Sequence, residues 1–438
     1  MRIGAITIWA CLLSCCALAA PKITPRGVRS IAPTADSAIA RGAVFHVIGA
    51  DLGPAEPVKG EVPFPIELEG LTVSVTTPDG SATYQAYLRE ASAGRVTAIM
   101  PSSLPAGNYD VTVTKGGETS NKVRIRVVDR AFGLALLTMV PFGPVIAYTR
   151  PEEGDPARIG FTTAAKPGQT IEVWATGYGP SNKPDNEFPD EANLVEGAVV
   201  MLENLEIPVS YLGWHPAQPG FQRVVFTLPE SKLPEGCVVQ IYVKFGNVST
   251  PPATIPVQSA GGSGSDCRFP FATSEAALKA LDEGGTITRG DFTLTQQTTS
   301  LSAAGMTLNM KTETISGGFY RHSLDSLYDS LSGTSSGWLV NPNGCSVFTA
   351  DEGGDEPYFT PAEPLDAGPE LQLTGPSGLD KKVPRKEGAY FADIAPAAGG
   401  GIPGLPSIPG LPPIPGLPGG GGSAASAIQR GSFTLKGN

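Results

Sequence analysis

The sequence predicts a mainly β protein: two tandem β-sandwiches, then a smaller β-rich region with two short helices and a disordered Pro/Gly-rich segment. Three observations predict this fold class. A hairpin pattern occurs twice, apolar and polar residues alternate within it, and the 438 residues include 54 Gly and 42 Pro. Such a composition favours turns over long helices, and a period of two is typical of strands with one buried face.

Residues 1–19 are interpreted as a signal peptide. Ile3–Leu18 is apolar and uncharged, and Ala17–Ala19 has the small-x-small pattern of a cleavage site. We therefore expect cleavage before Ala20 and a secreted or cell-surface protein. Lipoprotein anchoring at Cys15 is the alternative, because the residues before it resemble a loose lipobox.

Residues 25–130 and 132–260 are predicted to form the two sandwiches. Pro101–Val128 and Pro229–Val257 both have the pattern of a Pro-Gly turn, a strand, a Gly-containing turn and a second strand. Apolar residues occupy alternate positions in each strand of these hairpins. We therefore expect Val111 and Ile241 to be buried.

A second element repeats upstream of the hairpins. HVIGADLGP at His46–Pro54 corresponds to VWATGYGP at Val173–Pro180, and Gly53 and Gly179 are separated by 179 − 53 = 126 residues. These motifs resemble the IPT/TIG-type immunoglobulin-like modules of secreted bacterial proteins. PGQTIEVWATGYGP with LPEGCVVQIYVKFGNVST resembles an uncharacterised C-terminal β-sandwich family of soil bacteria. The resemblance covers roughly residues 27–258, and it implies a fold and a secreted protein but no catalytic residues.

Ala131–Tyr148 is a run of 18 uncharged residues, which is long enough to be considered as a membrane-spanning helix. Pro141 and Pro144 would break such a helix. We interpret the run as a connector and the first strand of the second sandwich.

The chain changes character after the second sandwich. GGSGS at residues 261–265 is predicted to be a flexible linker, and residues 266–396 to be a β-rich region. Short helices are predicted at Ser274–Glu283 and Ser323–Ser330. The predicted strands are Thr286–Thr299, Met306–Ile315, Cys345–Thr349, Glu370–Thr374 and Ala389–Ile394.

The C-terminal part contains a low-complexity segment. Residues 397–427 include IPGLPS, IPGLPP and IPGLPG, a pattern that excludes helices and sheet ladders, so we predict disorder and early proteolytic cleavage there. Residues 428–438 are predicted to form a terminal strand. The family that the chain resembles implies further residues after this strand, so a truncated C-terminus is an open alternative.

The charge and the motifs indicate which functions to expect. A net charge of −11 argues against a nucleic-acid partner. Gly333–Gly337 fits the G-x-S-x-G pattern, but the strand, helix and nearby histidine that a nucleophile elbow needs are not predicted around it. His46, His215 and His322 fall one per region, which disfavours a metal site. The acidic residues 351–356 are interpreted as a solvated turn. We therefore expect no enzymatic activity and no cofactor.

The expected function is that of a non-enzymatic extracellular scaffold or adhesion protein whose partner is an unidentified protein or polysaccharide. The alternative is a carbohydrate-binding accessory protein, which would use aromatic loops of the second sandwich for stacking. The candidate stacking residues are Trp174, Tyr178, Tyr211 and Trp214.

Three cysteines remain after the predicted cleavage: Cys237, Cys267 and Cys345. An oxidising compartment favours one disulfide and leaves one cysteine over. Cys237 opens a hairpin whose return strand ends near it, and Cys267 follows that strand closely. This reach favours Cys237–Cys267, with Cys267–Cys345 as the alternative; in the first case Cys345 is free or paired with another chain.

Overall fold

A computed structural model of the chain describes residues 20–33, 37–258, 267–269, 273–303, 306–332, 361–394, 428 and 432–437. The described residues form two compact units. One takes the described residues between positions 1 and 278 and between 328 and 359, and the other takes those between 279 and 327 and between 360 and 438. As predicted, the chain is mainly β.

The first sandwich consists of a five-stranded sheet, in the order β1-β3-β9-β8-β4, and a seven-stranded sheet built on β2-β12-β10-β6-β5. Its strands are β1 Lys22–Ser30, β2 Ile39–Ala40, β3 Val44–Ala50, β4 Val58–Lys59, β5 Glu67–Leu68, β6 Leu71–Thr76, β7 Thr83–Gln85, β8 Tyr87–Ala91, β9 Arg95–Ile99, β10 Gly107–Lys115, β11 Glu118–Thr119 and β12 Val123–Val128.

The core of the first sandwich comes from alternate residues of these strands. Phe45 and Val47 of β3, and Val111 and Val113 of β10, all belong to one buried apolar cluster between the two sheets. Val111 is fully buried, as expected, while the neighbouring Thr112 is only half-buried. A one-residue slip would exchange these two faces, so the apolar pattern fixes the register.

The second sandwich is built from one curled nine-stranded sheet, on the path β13-β15-β18-β17-β16-β19-β20. Its strands are β13 Gly133–Leu134, β14 Ala147–Thr149, β15 Thr170–Thr176, β16 Val199–Leu202, β17 Leu205–Trp214, β18 Gln222–Thr227, β19 Gly236–Phe245, β20 Val248–Ser249 and β21 Ala253–Val257.

Strand β17 joins the two layers of the second sandwich. Its first half pairs with β16 and its second half with β18, and the register shifts between Val209 and Tyr211. Irregularities of this kind let one strand turn a corner between layers. The enclosed core contains Ile171, Val173 and Ile241, and Ile241 is fully buried as expected.

The repeated hairpins share one hydrogen-bonding device. The backbone N–H of Val113 donates to Ser120 Oγ at 2.9 Å, and that of Val243 donates to Thr250 Oγ1 at 3.1 Å. Both pairs are related by the same offset, 243 − 113 = 250 − 120 = 130 residues. In each hairpin a hydroxyl thus satisfies an N–H where the ladder is interrupted.

The connector Ala131–Tyr148 contains β13 and the beginning of β14, in agreement with its interpretation as a connector with a first strand. In the segment that connects β13 to β14, Leu136 and Val145 form an isolated β-bridge. Within the part of the chain that the structure describes, no helix has the length and apolar character needed to cross a membrane.

The second unit is built around a seven-stranded sheet in the order β22-β23-β27-β26-β25-β28, with β24 also paired to β23. Its strands are β22 Ile287–Ala303, β23 Met306–His322, β24 Glu363–Leu365, β25 Glu370–Gly375, β26 Leu379–Lys386, β27 Ala389–Asp393 and β28 Thr434–Gly437. The helices α1 Glu275–Asp282 and α2 Leu324–Ser332 each contain a point where the chain passes between the units.

Several strands of this unit differ from the sequence-based expectations: β24 was not predicted, and β22 continues to Ala303 instead of ending at Thr299. Strand β23 continues to His322 instead of ending at Ile315, because Gly317 lies inside the strand and lets the backbone approach Asp291 closely. Strand β26 was not expected, since its sequence LDKKVPRK carries charges and a proline. Its pairing with β25 and β27 compensates for its low strand propensity.

Several sequence-based predictions concern residues outside the described ranges. They are the signal peptide and Cys15, the linker 261–265, Gly333–Gly337, the strand at Cys345–Thr349 with Cys345 itself, the acidic residues 351–356, and the disordered segment 397–427.

Candidate functional site

Strand β3 of the first sandwich and strand β15 of the second carry a polar residue at equivalent positions of their outward faces. His46 lies between the core residues Phe45 and Val47 of β3, and Glu172 lies between Ile171 and Val173 of β15. The two positions are related by 172 − 46 = 126 residues, the offset that relates Gly53 to Gly179. Both side chains therefore project away from their own sandwich core, and both are buried, at 8% and 7% exposure.

These outward faces pack against each other. Val44, Phe64 and Ile99 of the first sandwich form a buried apolar cluster with Ala135 and Phe221 of the second. Burial of apolar side chains on this scale is the main stabilising term in domain association. The two sandwiches therefore share a core of their own, beyond the peptide connection between them.

Hydrogen bonds fix the alignment of the two sandwiches. The Val44 N–H donates to Thr176 Oγ1 at 3.0 Å, and Thr176 Oγ1 donates to the Gly220 carbonyl at 2.7 Å. Gly220 has a φ of +81°, and a Cβ there would come within 2.8 Å of Val44. Only glycine fits this position without strain.

Arg89 of the first sandwich also forms hydrogen bonds with the second sandwich. It donates to the Pro219 carbonyl and to Gln218 Oε1, both at 2.7 Å. Its guanidinium lies over the ring of Phe64 at 4.7 Å and over that of Phe221 at 5.0 Å. Burial lowers the pKa of Arg89 to about 10, so the group stays charged at neutral pH and makes cation–π contacts on both sides.

A cavity of about 550 Å³ lies between the sandwiches beside these contacts. We call it the inter-sandwich cleft. Its aromatic lining residues are Phe64, Trp174, Phe188 and Phe221, and its charged lining residues are Lys59, Arg89, Glu90 and Arg95. A volume of this size is typical of small-molecule sites, which range over roughly 300–1,000 Å³.

Glu172 lies next to Trp174 of the cleft, and both of its carboxylate oxygens accept hydrogen bonds. Its Oε1 accepts hydrogen bonds from Trp174 Nε1 at 3.0 Å and His215 Nε2 at 3.1 Å, and its Oε2 accepts one from Arg150 at 2.5 Å. Burial alone would raise the pKa of Glu172, but the bonds from His215, Arg150 and Trp174 outweigh it and lower the pKa to about 2. The carboxylate is therefore ionised at neutral pH.

The hydrogen bonds also define the His215 tautomer. His215 Nδ1 accepts from the Ala217 backbone N–H at 3.2 Å, so the ring proton sits on Nε2 and points to Glu172. The His215 ring meets Trp174 edge-on, with ring centroids 5.0 Å apart. Trp174 is thus held by a hydrogen bond at its indole nitrogen and by ring contacts with His215, Tyr148 and Phe221.

His46 forms the other buried polar group at the cleft. Its Nδ1 lies 3.0 Å from Thr97 Oγ1. Burial, together with the charges of Arg95 and Arg29, lowers the pKa of His46 to about 3. The imidazole is neutral at neutral pH, in contrast to the ionised Glu172 at the equivalent position.

The four aromatic residues proposed as a stacking surface have different surroundings. Trp174 is half-buried and lines the cleft. Trp214 is only 5% exposed and packs against Tyr178, with ring centroids 6.1 Å apart. Arg223 covers the ring of Tyr211 at 4.8 Å, and Arg130 covers that of Tyr178 at 4.7 Å. Of these four residues, Trp174 is the one that lines the cleft, and a stacking role for any of them stays a prediction.

Sequence reasoning missed Phe64 and Phe188, two other aromatic residues of the cleft. Phe64 and Phe221 come from different repeats, and only the packing of one sandwich on the other brings them together. Phe188 lies in a loop and is 53% exposed at the cleft. An exposed phenylalanine in a polar loop is the one signal that could have identified part of the site.

Cys237 and Cys267 are joined by a disulfide, with Cα atoms 5.0 Å apart. The Cys237 N–H also donates to the Arg268 carbonyl at 2.8 Å. These contacts attach residues 267–269 to the first strand of the second hairpin.

The third histidine has a serine neighbour that the sequence analysis did not identify. His322 Nδ1 lies 3.5 Å from Ser326 Oγ, and its Nε2 lies 3.9 Å from Asp291. Both His322 and Ser326 are 3% exposed, so a substrate could not reach the pair. Among the described residues, no group of three or more His, Cys, Asp or Glu side chains could hold a metal ion.

No family model matches the chain, and no curated protein matches it. The resemblance to IPT/TIG-type modules and to the soil-bacterial family therefore stays a prediction.

Similar solved structures include domains 5–6 of the S-layer protein SbsC, at 15% identity over 54% of this chain and 97% of that one, with a TM-score of 0.19. They also include SGBP-B from a Bacteroides ovatus mixed-linkage glucan utilization locus, at 11% identity over 68% of each chain, with a TM-score of 0.23. SGBP-B from a Bacteroides uniformis xyloglucan locus matches at 12% identity, over 68% of this chain and 66% of that one, with a TM-score of 0.16. These TM-scores are too low for the similarities to carry an argument about function.

Proposed function

We propose that this chain is a non-enzymatic binding protein of the cell exterior, secreted or held at the surface. In this proposal its two sandwiches form a rigid scaffold, and the inter-sandwich cleft holds the ligand. The observation that carries the proposal is the cleft itself, a cavity of about 550 Å³ whose walls come from both sandwiches. Walls fixed before binding reduce the entropy cost of association.

The protonation states at the cleft favour binding over catalysis. A general acid or base works best with a pKa near the working pH. The pKa of Glu172 is about 2 and that of His46 is about 3, so neither group exchanges protons readily at neutral pH. Their hydrogen bonds hold side chains in place, which is what a binding site needs.

A carbohydrate-binding accessory role is the second candidate, and Trp174 favours it. Its indole is held by Glu172 and faces a cavity that also carries polar side chains such as Gln218. An indole held in one orientation suits stacking against the apolar face of a sugar ring. This candidate differs from the sequence-based alternative, which placed stacking on loops that also include Tyr178, Tyr211 and Trp214.

A blocking variant tests the proposal. Ala217 is exposed and lines the cleft, so Ala217→Trp should fill it; Ala157 is exposed elsewhere in the second sandwich, so Ala157→Trp is the matched control. Residues 20–438 would be screened against a glycan array and, by thermal shift, against a panel of small organic acids, amides and sugars.

We expect at least one binder, whose affinity falls sharply in Ala217→Trp and is unchanged in Ala157→Trp. The proposal is wrong if every binder is bound equally by both variants, because binding then occurs outside the cleft. Turnover of a bound compound would contradict the non-enzymatic assignment.

A further inference from the structure

The side chains of the inter-sandwich cleft carry an excess of positive charge, although the chain as a whole has a net charge of −11. Three of its described lining residues are cations, Lys59, Arg89 and Arg95, and one, Glu90, is a carboxylate. The cleft therefore differs in sign from the protein that surrounds it. Local charge of this kind attracts a ligand of opposite sign.

Two of these cations, Lys59 and Arg95, are unpaired within the described part of the chain. The side chains of Lys59 and Arg95 make no hydrogen bond or ion pair with any residue that the structure describes. Lys59 is exposed and Arg95 is half-buried, so both remain reachable from the cavity. Arg89 donates to a carbonyl and an amide oxygen, which are neutral acceptors, so its charge is not cancelled by these bonds.

His46 provides a second indication of the positive field. Its pKa is lowered first by burial and then by the charges of Arg95 and Arg29, which act on it from β9 and β1. Both β9 and β1 belong to the sheet whose outward face lines the cleft. The field of these arginines therefore reaches the wall of the cavity, where it would also act on a bound anion.

The opposite wall is apolar and contains rings. Trp174 lies there with its ring centroid 5.0 Å from that of the buried Phe221, and Leu136 and Ile146 of the same sandwich extend the apolar surface. Such a wall suits a flat ring that presents an apolar face. An ion lacking an apolar body would leave this wall in contact with water.

From this juxtaposition we infer that the cleft binds a carboxylate carried on a six-membered ring, with the carboxylate at Arg95 and Lys59 and the ring against the half-buried Trp174. The inference deepens the proposed function and rests on it. Two sources share this chemistry: a uronate residue of an acidic polysaccharide, and a free aromatic acid. Arginine pairs with carboxylates in a planar, bidentate geometry, which makes Arg95 the principal contact.

Calorimetric titration with two matched probe pairs tests the inference. Trigalacturonate is compared with its methyl ester, and benzoate with benzamide, so each pair differs in charge at nearly constant shape. We expect at least one acid to bind roughly tenfold or more tightly than its uncharged partner, as a hydrogen bond to a charged group implies. A preference confined to the first pair identifies a polysaccharide source, and one confined to the second identifies a free acid.

Charge variants locate the contact. Arg95→Gln and Lys59→Gln should each reduce the preference for the acid, whereas Lys244→Gln, which removes an exposed lysine of β19, should leave it unchanged. Circular dichroism melting would check that each variant is folded.

The inference is overturned if neither acid binds, if ester and amide bind as tightly as the acids, or if Arg95→Gln and Lys59→Gln keep the full preference. The Ala217→Trp variant separates this failure from failure of the proposed function. Uncharged binders that Ala217→Trp excludes would leave the cleft as the ligand site and refute only the carboxylate.

Discussion

His46 in the first sandwich and Glu172 in the second occupy equivalent positions and have opposite electrostatic designs. His46 is neutral, with a pKa lowered to about 3, and has one hydroxyl neighbour and two nearby arginines. Glu172 is ionised, with a pKa lowered to about 2, and accepts hydrogen bonds from three side chains. The two residues occupy equivalent strand positions, but their side chains differ in charge and in hydrogen-bond partners.

This difference indicates how the repeat is used. The inward residues of β3 and β15 are apolar in both copies, because each must fill a sandwich core. The outward residues do not have to fill a core, so they can differ between the two copies. The first sandwich contributes the cations of the cleft, and the second contributes Trp174. A cleft with two different walls can thus arise from a repeated fold.

The largest effect is expected from Glu172→Ala. The substitution leaves the buried His215, the half-buried Trp174 Nε1 and the partly exposed Arg150 without their acceptor, which should reduce the free energy of unfolding by about 3–5 kcal/mol. Glu206→Ala, on the exposed side of β17, is the control and should change it by less than about 0.5 kcal/mol. Equal losses in urea titrations of both variants would contradict the role given to Glu172.

The disulfide distinguishes the two hairpins, since the described part of the first sandwich contains no cysteine. Cys237 and Cys267 close a loop with a sequence separation of 30 residues. Replacing both by Ala should cost roughly 3–4 kcal/mol in the chain-entropy model. Hydrogen exchange should accelerate in the hairpin β19–β21 and stay unchanged in β10–β12; acceleration in both would show that the bond does not act locally.

The titration of His46 should be visible in the pH dependence of stability. Its folded pKa of about 3 lies below its ordinary value of 6.5, so the unfolded chain binds the proton more readily. Stability from this group is complete above about pH 6.5 and falls as the pH decreases toward 3, with a loss of about 2 kcal/mol by about pH 5. His46→Gln should remove this slope in unfolding measurements.

Glu172 acts in a separate pH window. Its folded pKa of about 2 lies below 4.5, so its contribution is complete above about pH 4.5 and is lost toward pH 2. Glu172→Gln should leave the slope between about pH 6.5 and 5 intact. A slope in that range that persists in His46→Gln and disappears in Glu172→Gln would reverse the assignment.

The smallest effects are expected at the hydroxyls that the two hairpins share. Ser120→Ala and Thr250→Val each leave a buried N–H, on Val113 or Val243, without its partner. Each should cost about 1 kcal/mol, and the two losses should be similar. Thermal unfolding would measure both variants. If only one of them loses stability, the two hydroxyls occupy equivalent positions without contributing equally to stability.

The sequence predicted the sandwiches because the alternation of apolar and polar residues that indicates a strand is visible within a few neighbouring residues. The alternation around Val111 and Ile241 identified the buried faces of both hairpins, and both residues are fully buried. The curled sheet of the second sandwich was not predicted, since it depends on how β17 bends between two layers. Long-range pairing of this kind leaves no periodic signal along the chain.

The site was harder to predict than the fold. Trp174 was a candidate, but its neighbours in the cleft, Phe64, Arg89 and Phe221, are separated from it in sequence and meet only when the outward faces pack. The resemblance of the two copies emphasised what the repeats share. The cleft depends on residues in which they differ, such as His46 and Glu172.

The most direct test of the cleft as the ligand site is the NMR signal of the Trp174 indole N–H. The chain beyond the predicted signal peptide contains Trp174, Trp214 and Trp338, so the indole region is simple to assign with single Trp→Phe variants. Titration with a ligand found in the binding screen should shift the Trp174 signal with the same midpoint as the calorimetric isotherm. The buried Trp214 signal should stay in place. A saturating ligand that leaves Trp174 unchanged and shifts Trp214 or Trp338 instead would contradict the assignment.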